Sequence, residues 1–353
     1  MTEAVRELLI VGAGPAGLAT AIAAHQAGLD YEVLEKGALV NSIFHFPRHM
    51  TFFTTPELLE IGGLPFVTPY EKPTQGEALR YYRRVSDTFR LNLALGEEVL
   101  AIERCDGIFR VLTRSGAGPE RSRTARQVVL ATGYYDHPNR LDVPGEDLPH
   151  VSHYYAEPHA FYRKPVVVVG GKNSAAIAAL ELYRAGARVT LVHRRPRLGE
   201  SIKYWIKPDI ENRIKEGAVT ARFETRVLEI LPDRVVVEGP GGREELAAEG
   251  VFLLTGYHPD VELFRRAGVR VDEATLKPDH DPATLESNVP GLYVAGAVVS
   301  GRETGRIFIE NGRFHGEMIV KAIFTSLFGM LVYQLLTLFL REEPIEATRR
   351  PAW

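Results

Sequence analysis

Two stretches of the chain, ELLIVGAGPAGLATAIAAHQAGLDYEVLEKG (Glu7–Gly37) and KPVVVVGGKNSAAIAALELYRAGARVTLVHRR (Lys164–Arg195), are built on one plan. Each opens with an all-apolar run and turns through glycines. An Ala-rich segment follows, ends in Ala-Gly, and gives way to a second apolar run. Unbroken apolar strands belong to parallel sheets covered on both faces, and glycine after the Ala-rich segment suits a helix C-cap. Both copies therefore read as strand, glycine turn, helix, strand. They share a later feature too: VVLATGYYDHP (Val128–Pro138) and VFLLTGYHPD (Val251–Asp260) each place Thr-Gly-Tyr after an apolar strand. The fold class that follows is α/β, with two Rossmann-like dinucleotide-binding domains, the second inserted into the first. The expected division is 1–152 with 288–353 for the first domain and 153–287 for the second. Hinges are expected around Pro144–His153 and Ser287–Pro290.

The first turn, Gly12-Ala13-Gly14-Pro15-Ala16-Gly17, is G-x-G-x-x-G between a strand and a helix, a context that makes the pattern informative. The first glycine makes the turn, the second admits a pyrophosphate to the backbone N–H groups, and the third packs helix on strand. Glu35 ends the second strand 23 residues after Gly12. Its carboxylate suits a free adenosine ribose and repels a 2′-phosphate. In the second copy the turn is Gly170-Gly171-Lys172-Asn173-Ser174-Ala175, and His193 stands 23 residues after Gly170, followed by Arg194 and Arg195. Replacing the acid by His-Arg-Arg favours a 2′-phosphate, because guanidinium forks match phosphate oxygens. The expected ligand of the first domain is thus a dinucleotide with a free adenosine ribose, FAD or NAD, and the second domain is expected to prefer NADPH over NADH. Lys172 occupies the usual place of the second glycine and is expected to contact the pyrophosphate as a cation.

Two dinucleotides without a separate substrate domain indicate flavin chemistry, in which the cofactor reacts and the protein supplies geometry. No catalytic residue and no metal ligand is expected from the chain itself, and its 11 histidines are scattered. A net charge of −3 excludes a broad basic field for nucleic acid. The single cysteine, Cys105, excludes a disulfide scaffold and a Cys-x-x-Cys pair. No signal peptide is evident, so a cytoplasmic location is expected. One stretch stands apart: Ala322–Leu340 carries no charge. It reads as a helix buried against the domain or a partner subunit, with membrane contact through 322–340 as the alternative.

GAGPAG, LEKG, NSIFHFPRHMTFFTTPELLEIGGLPF, KPTQGEALRYYRRV, LATGYY, VVGGKNSA, SIKYWI, TGYHPD and IFIENGRFHG together resemble the bacillithiol disulfide reductase family, a branch of the thioredoxin-reductase-like flavoproteins. The resemblance runs from about residue 7 to about residue 320. It implies bound FAD, NADPH as donor, reduction of a low-molecular-weight thiol disulfide, and a homodimer or higher homo-oligomer. Family members proposed to do thiol chemistry carry a Cys at the position of Ala16, so no nucleophile carries over. The resemblance also implies that Ser42 and Ile43 meet the pyrophosphate and ribityl region and that Thr51 or His49 faces the flavin ring. Gly296 and Ala297 should flank the flavin, and a helix from near Ile307 should point its N–H groups at the ring. Lys36, Val99, Thr132, Gly133 and Ile309 complete the expected flavin site, and Gly256 and Tyr257 the nucleotide site. A small-molecule disulfide or a small redox protein is the expected acceptor. A ferredoxin or flavodoxin–NADP reductase is the alternative, since it needs no cysteine. A flavin monooxygenase ranks below it, lacking F-x-G-x-x-x-H between the glycine turns, and a non-enzymatic flavin sensor ranks last.

Overall fold

The computed structural model describes residues 4–326; most of the uncharged run 322–340, and Trp353, lie outside the described residues. The first copy forms strand β1 (Arg6–Val11), helix α1 (Pro15–Gln26) and strand β2 (Tyr31–Glu35). Every residue of α1 from Gly17 to Ala24 is buried. Small side chains permit this, because they let neighbouring layers close on the helix from all sides. A Cβ on Gly316 would fall 2.5 Å from the Thr20 Cα, so a helix over 315–326 rides directly on α1.

Helix α2 (Asn41–Phe44) follows, then α3 (Gln75–Phe89). The start of α3 is set by a capping box: Glu77 N–H donates to the Thr74 side chain and the Glu77 carboxylate accepts from Thr74 N–H. Strands β3 (Leu93–Leu95), β4 (Glu97–Cys105), β5 (Ile108–Ser115) and β6 (Glu120–Leu130) complete a sheet in the order β3-β2-β1-β6-β5-β4. The pairs among β3, β2, β1 and β6 are parallel, while β4, β5 and β6 form an antiparallel meander. Asp106 and Gly107, both at positive φ (50° and 79°), close the β4–β5 hairpin in the turn that matches strand twist.

The second copy repeats the plan with β7 (Val151–Ser152), β8 (Pro165–Val169), α4 (Asn173–Arg184), β9 (Arg188–Val192), α5 (Lys207–Lys215) and β10 (Thr220–Arg222). An antiparallel meander of β11 (Arg226–Ile230), β12 (Arg234–Gly239) and β13 (Gly242–Ala247) leads to β14 (Gly250–Leu253). The sheet order β10-β9-β8-β14-β7 is parallel throughout. Val166–Val169 are at most 8% exposed, and each buried valine contributes about 1.5–3 kcal/mol. After α6 (Val261–Arg266), the chain returns as β15 (Leu292–Val294) to pair with β6 of the first sheet. The expected α/β architecture, one Rossmann-like unit threaded into another, is the observed one. The helix expected from near Ile307 is instead two pieces, α7 (Ile309–Gly312) and 315–326, interrupted by a turn. Among the described residues no helix is long and apolar enough to cross a membrane.

Candidate functional site

The two glycine turns open into one cleft of about 1900 Å³. A pocket for one small ligand is typically about 300–1,000 Å³, so this volume suits more than one. Gly12, Gly14, Pro15, Ala16, Glu35, Lys36, Ser42, Ile43, Val99, Thr132, Gly133, Gly296, Ala297 and Ile309 line it on one side. Gly170, Gly171, Lys172, Asn173, Ser174, His193, Arg194, Arg195, Gly256 and Tyr257 line it on the other. The cleft lies at the carboxyl ends of the strands, where open α/β sheets take their ligands.

Gly12 and Gly14 serve different ends. At Gly12 φ is +105° and a Cβ would stand 2.5 Å from the Ala131 carbonyl oxygen, so the backbone itself demands glycine. Gly14 caps α1 in an extended conformation (φ −72°, ψ 174°) open to any residue, and a Cβ there would meet nothing within 4 Å. Its missing side chain therefore leaves free space at a helix N-terminus, where N–H groups and dipole favour an anion. Lys172 caps α4 in an extended conformation (φ −120°, ψ −167°), which is why a lysine is tolerated at the matching place.

Gly17 and Ala175 sit beneath the turns, not on the cleft wall. A Cβ on Gly17 would clash with the Gly12 carbonyl oxygen, whereas at the matching place Ala175 is buried, and it is a Cβ on Gly170 that would meet its side chain, at 2.7 Å. His49 and Thr51 are the expected flavin-facing residues that the structure moves elsewhere. Both are exposed, and Thr51 forms a β-bridge with Thr74. Met50, Phe52, Phe53 and Thr54 of the same segment line the cleft in their place.

Glu35 is 6% exposed. One carboxylate oxygen accepts from Ala13 N–H and the other from Gly37 N–H, both at 2.8 Å. Burial pushes its carboxyl above the usual range, against those two hydrogen bonds. Lys36 is held by Asp136 at 2.9 Å. In the second domain the His193 ring covers Gly171, where a Cβ would lie 2.2 Å from the ring. Burial, then the Arg195 and Arg194 charges, hold the His193 imidazole below its ordinary pKa. Arg194 and Arg195 are exposed and carry no ion pair among the described residues.

Among the buried polar atoms in the wall that lack a hydrogen-bond partner are Thr132 Oγ1 and His193 Nε2. Buried polar groups are normally satisfied, so each calls for a ligand. One lies beside the first glycine turn and the other beside the second. With the open space at Gly14, they fit a flavin dinucleotide on one side and a pyridine nucleotide on the other.

His315 is buried beside the Gly296 turn. The structure places its Nδ1 as acceptor for Gly296 N–H at 3.0 Å. This pins the Gly296 turn, whose φ is +75° and whose Cβ would meet Ala16 at 2.7 Å. Burial, then the His280 charge, lowers the His315 pKa. A histidine kept neutral by the fold loses its stabilising contribution as pH falls through its ordinary unfolded value. The denaturation midpoint should therefore fall between pH 7.5 and pH 5, and fall less in His315→Gln; equal slopes in urea titrations would refute this.

Sequence reasoning missed the aromatic seam between the two Thr-Gly-Tyr segments. Tyr135 packs on Tyr257 at 4.6 Å and on Tyr154 at 5.2 Å. Tyr154 O–H donates to the Tyr135 carbonyl and Tyr257 O–H to the His153 carbonyl. Burial pushes the Tyr135 pKa up to about 12. Asn139 Nδ2 donates to the Thr255 carbonyl and Thr255 Oγ1 to the Asn139 carbonyl, tying the two repeats together. The repeated Thr-Gly-Tyr was the signal, but nothing in the chain order says that the copies touch. Cys105 is exposed at the β4–β5 hairpin and does not line the cleft.

The family model described as pyridine nucleotide-disulphide oxidoreductase matches residues 9–296. Bacilliredoxin reductase of Bacillus subtilis (strain 168) is 42% identical over 318 residues, covering 89% of this chain and 96% of its own length. The solved structure of bacillithiol disulfide reductase from Bacillus cereus superposes with a TM-score of 0.90 at 39% identity, covering 92% of this chain and 100% of that one. A ferredoxin–NADP reductase of Thermus thermophilus is 30% identical over 312 residues, covering 83% of this chain and 85% of its own.

Proposed function

Since the chain belongs to the pyridine nucleotide-disulphide oxidoreductase family, in its bacillithiol disulfide reductase branch, and is an oxidoreductase using a flavin and a pyridine nucleotide, we propose that the flavin is FAD, the donor NADPH and the acceptor a low-molecular-weight thiol disulfide. The observation that carries this is the shared cleft, acidic at the first turn and arginine-tipped at the second. When bound, the flavin takes up a hydride and passes on an electron pair. The overall balance is one NADPH and one proton consumed per disulfide cleaved to two thiols. On this reading Gly12–Ala16 hold the FAD pyrophosphate, with Glu35 at the adenosine ribose. Gly170–Ser174 hold that of NADPH, with Lys172 adding a cation. Arg194 and Arg195 take the 2′-phosphate.

A second reading, electron transfer to a small redox protein, is favoured by one observation. Ala16 faces the cleft at Gly296 and no cysteine lines the wall. The discriminating experiment is anaerobic. NADPH should bleach the flavin, and an oxidised low-molecular-weight disulfide should restore its colour with release of two thiols per NADPH. Absence of bleaching overturns both readings, and recolouring by ferredoxin alone transfers the assignment to the second.

The domain division 1–152 with 288–353 and 153–287 belongs to the same proposal. Two packing details favour adjusting its edges: Val151–Ser152 pair with β14, and Leu263 and Phe264 of α6 sit in the core of the first domain. A cytoplasmic homodimer or higher homo-oligomer is the accompanying proposal, to be read from the solution mass.

A further inference from the structure

The rim of the cleft carries a group of cations and rings that the two dinucleotides leave unused. On the first domain Phe53 lines the cleft. Its segment is paired with the one before α3: Phe52 N–H donates to the Pro73 carbonyl and Gln75 N–H to the Met50 carbonyl, both at 2.9 Å, and Lys72 precedes Pro73. On the second domain Lys203 lines the cleft, and Tyr204 and Trp205 follow it. The loop that carries them is tied to the second glycine turn. Gly199 N–H donates to the Gly171 carbonyl at 2.8 Å, Lys203 N–H to Asn173 Oδ1 at 2.9 Å, and Asn173 Nδ2 to the Ser201 carbonyl at 3.2 Å. Both lysines therefore sit on anchored backbone.

Trp205 joins the two sides. Its ring meets Phe53 edge-to-face at 6.0 Å and Tyr204 at 4.8 Å. Lys72 Nζ lies 3.8 Å from the centre of the Trp205 ring. Lys203 Nζ lies 5.9 Å from that centre and 5.4 Å from the centre of Phe53. The two ammonium groups are thus within about 10 Å of each other, about one Debye length, and repel. Ring faces attract cations but carry no net charge, so both groups still lack a counter-ion. Among the described residues neither lysine has a carboxylate partner. Glu200, the acid of the same loop, is engaged by Lys207 at 2.6 Å and by Arg197 at 3.5 Å. Both lysines are half-buried, while Trp205 and Tyr204 are exposed. Uncompensated cations beside exposed rings match a ligand that carries carboxylates on an apolar body with soft sulfur, which packs favourably on aromatic rings.

We propose that Lys72 and Lys203 form the subsite for the carboxylates of the disulfide acceptor, with Phe53 and Trp205 as the apolar wall beside its sulfurs. The inference rests on the reading of the protein as a reductase of low-molecular-weight disulfides, and it narrows that acceptor to an anionic one. Each domain supplies one lysine, so the subsite spans the junction between them. The lysines hold the carboxylates and take no part in bond making.

The test is equilibrium binding by calorimetry to the oxidised, flavin-loaded full-length protein, with Cys105→Ser as background so that no protein thiol exchanges with the probe. Two disulfides of matching shape differ in charge: 3,3′-dithiodipropionate, with two carboxylates, and its uncharged diamide. The dianion should bind more tightly than the diamide. It should lose about tenfold in Lys72→Met and in Lys203→Met, as for one charge-assisted hydrogen bond, and recover in Lys203→Arg, while the diamide changes less than about twofold. Added salt should narrow the gap between the two probes. Equal binding of both disulfides by the parent protein, or parallel losses for both in the variants, overturns the subsite and reduces the lysines to a latch between the domains. A loss of NADP+ affinity in Lys203→Met with none for the dianion assigns that lysine to the nucleotide and overturns the subsite as well. The disulfide reading is tested apart, by reoxidation of the NADPH-reduced flavin. If neither probe restores its colour, that reading fails and the subsite with it; if both do so with equal KM, the subsite alone fails.

Discussion

Gly14→Val should give a folded, colourless protein. The backbone at this helix cap is already extended, so valine enters without strain, and the cost of a poorer cap is about 1 kcal/mol. The new side chain, however, projects into the free space beside the α1 N-terminus. A pyrophosphate held by the first-turn N–H groups would collide with it. Flavin affinity should fall at least about a hundredfold, equivalent to about 2.7 kcal/mol. Gly12→Val is the informative contrast: with φ at +105° and the Ala131 carbonyl at 2.5 Å, that change attacks the turn itself and should cost solubility as well as colour. Flavin absorbance per polypeptide and circular dichroism check the pair. A yellow, folded Gly14→Val protein would show that the cradle does not hold the flavin.

The paired change Arg194→Ala/Arg195→Ala should raise the KM for NADPH by about fifty- to a hundredfold, because each guanidinium makes charge-assisted hydrogen bonds to a phosphate. The KM for NADH, which has no 2′-phosphate, should move less than about twofold. Both arginines are exposed at the cleft rim without ion pairs among the described residues, so their removal leaves no buried charge behind. The folded state should be unaffected. The NADPH effect should shrink with added salt, as exposed electrostatics do. Steady-state kinetics with both nucleotides decide it: an unchanged preference would place the 2′-phosphate elsewhere.

How far the chain can be read from its letters differs from residue to residue. Gly12, Gly17 and Glu35 were legible because their roles are local: a turn, a helix–strand contact and a strand end lie within one βαβ unit. His49 and Thr51 were misplaced because the segment between α2 and α3 has no period strong enough to say which side faces inward; the bridge from Thr51 to Thr74 sets that. His315 looked ordinary in sequence and acquires its role only because a helix over 315–326 packs across α1 and brings Nδ1 to Gly296. Tyr135 and Tyr257 are 122 positions apart in the chain and touch because the second unit is threaded between β6 and β15.

Apolar runs and glycine turns were enough to establish the doubled α/β plan, since hydrophobic burial and backbone sterics act over a few residues. That both cradles open into one cleft and that a tyrosine seam joins them are matters of tertiary packing. They depend on how two sheets and the chain crossings between them are arranged, and contacts of such long sequence separation leave no periodic trace in the chain.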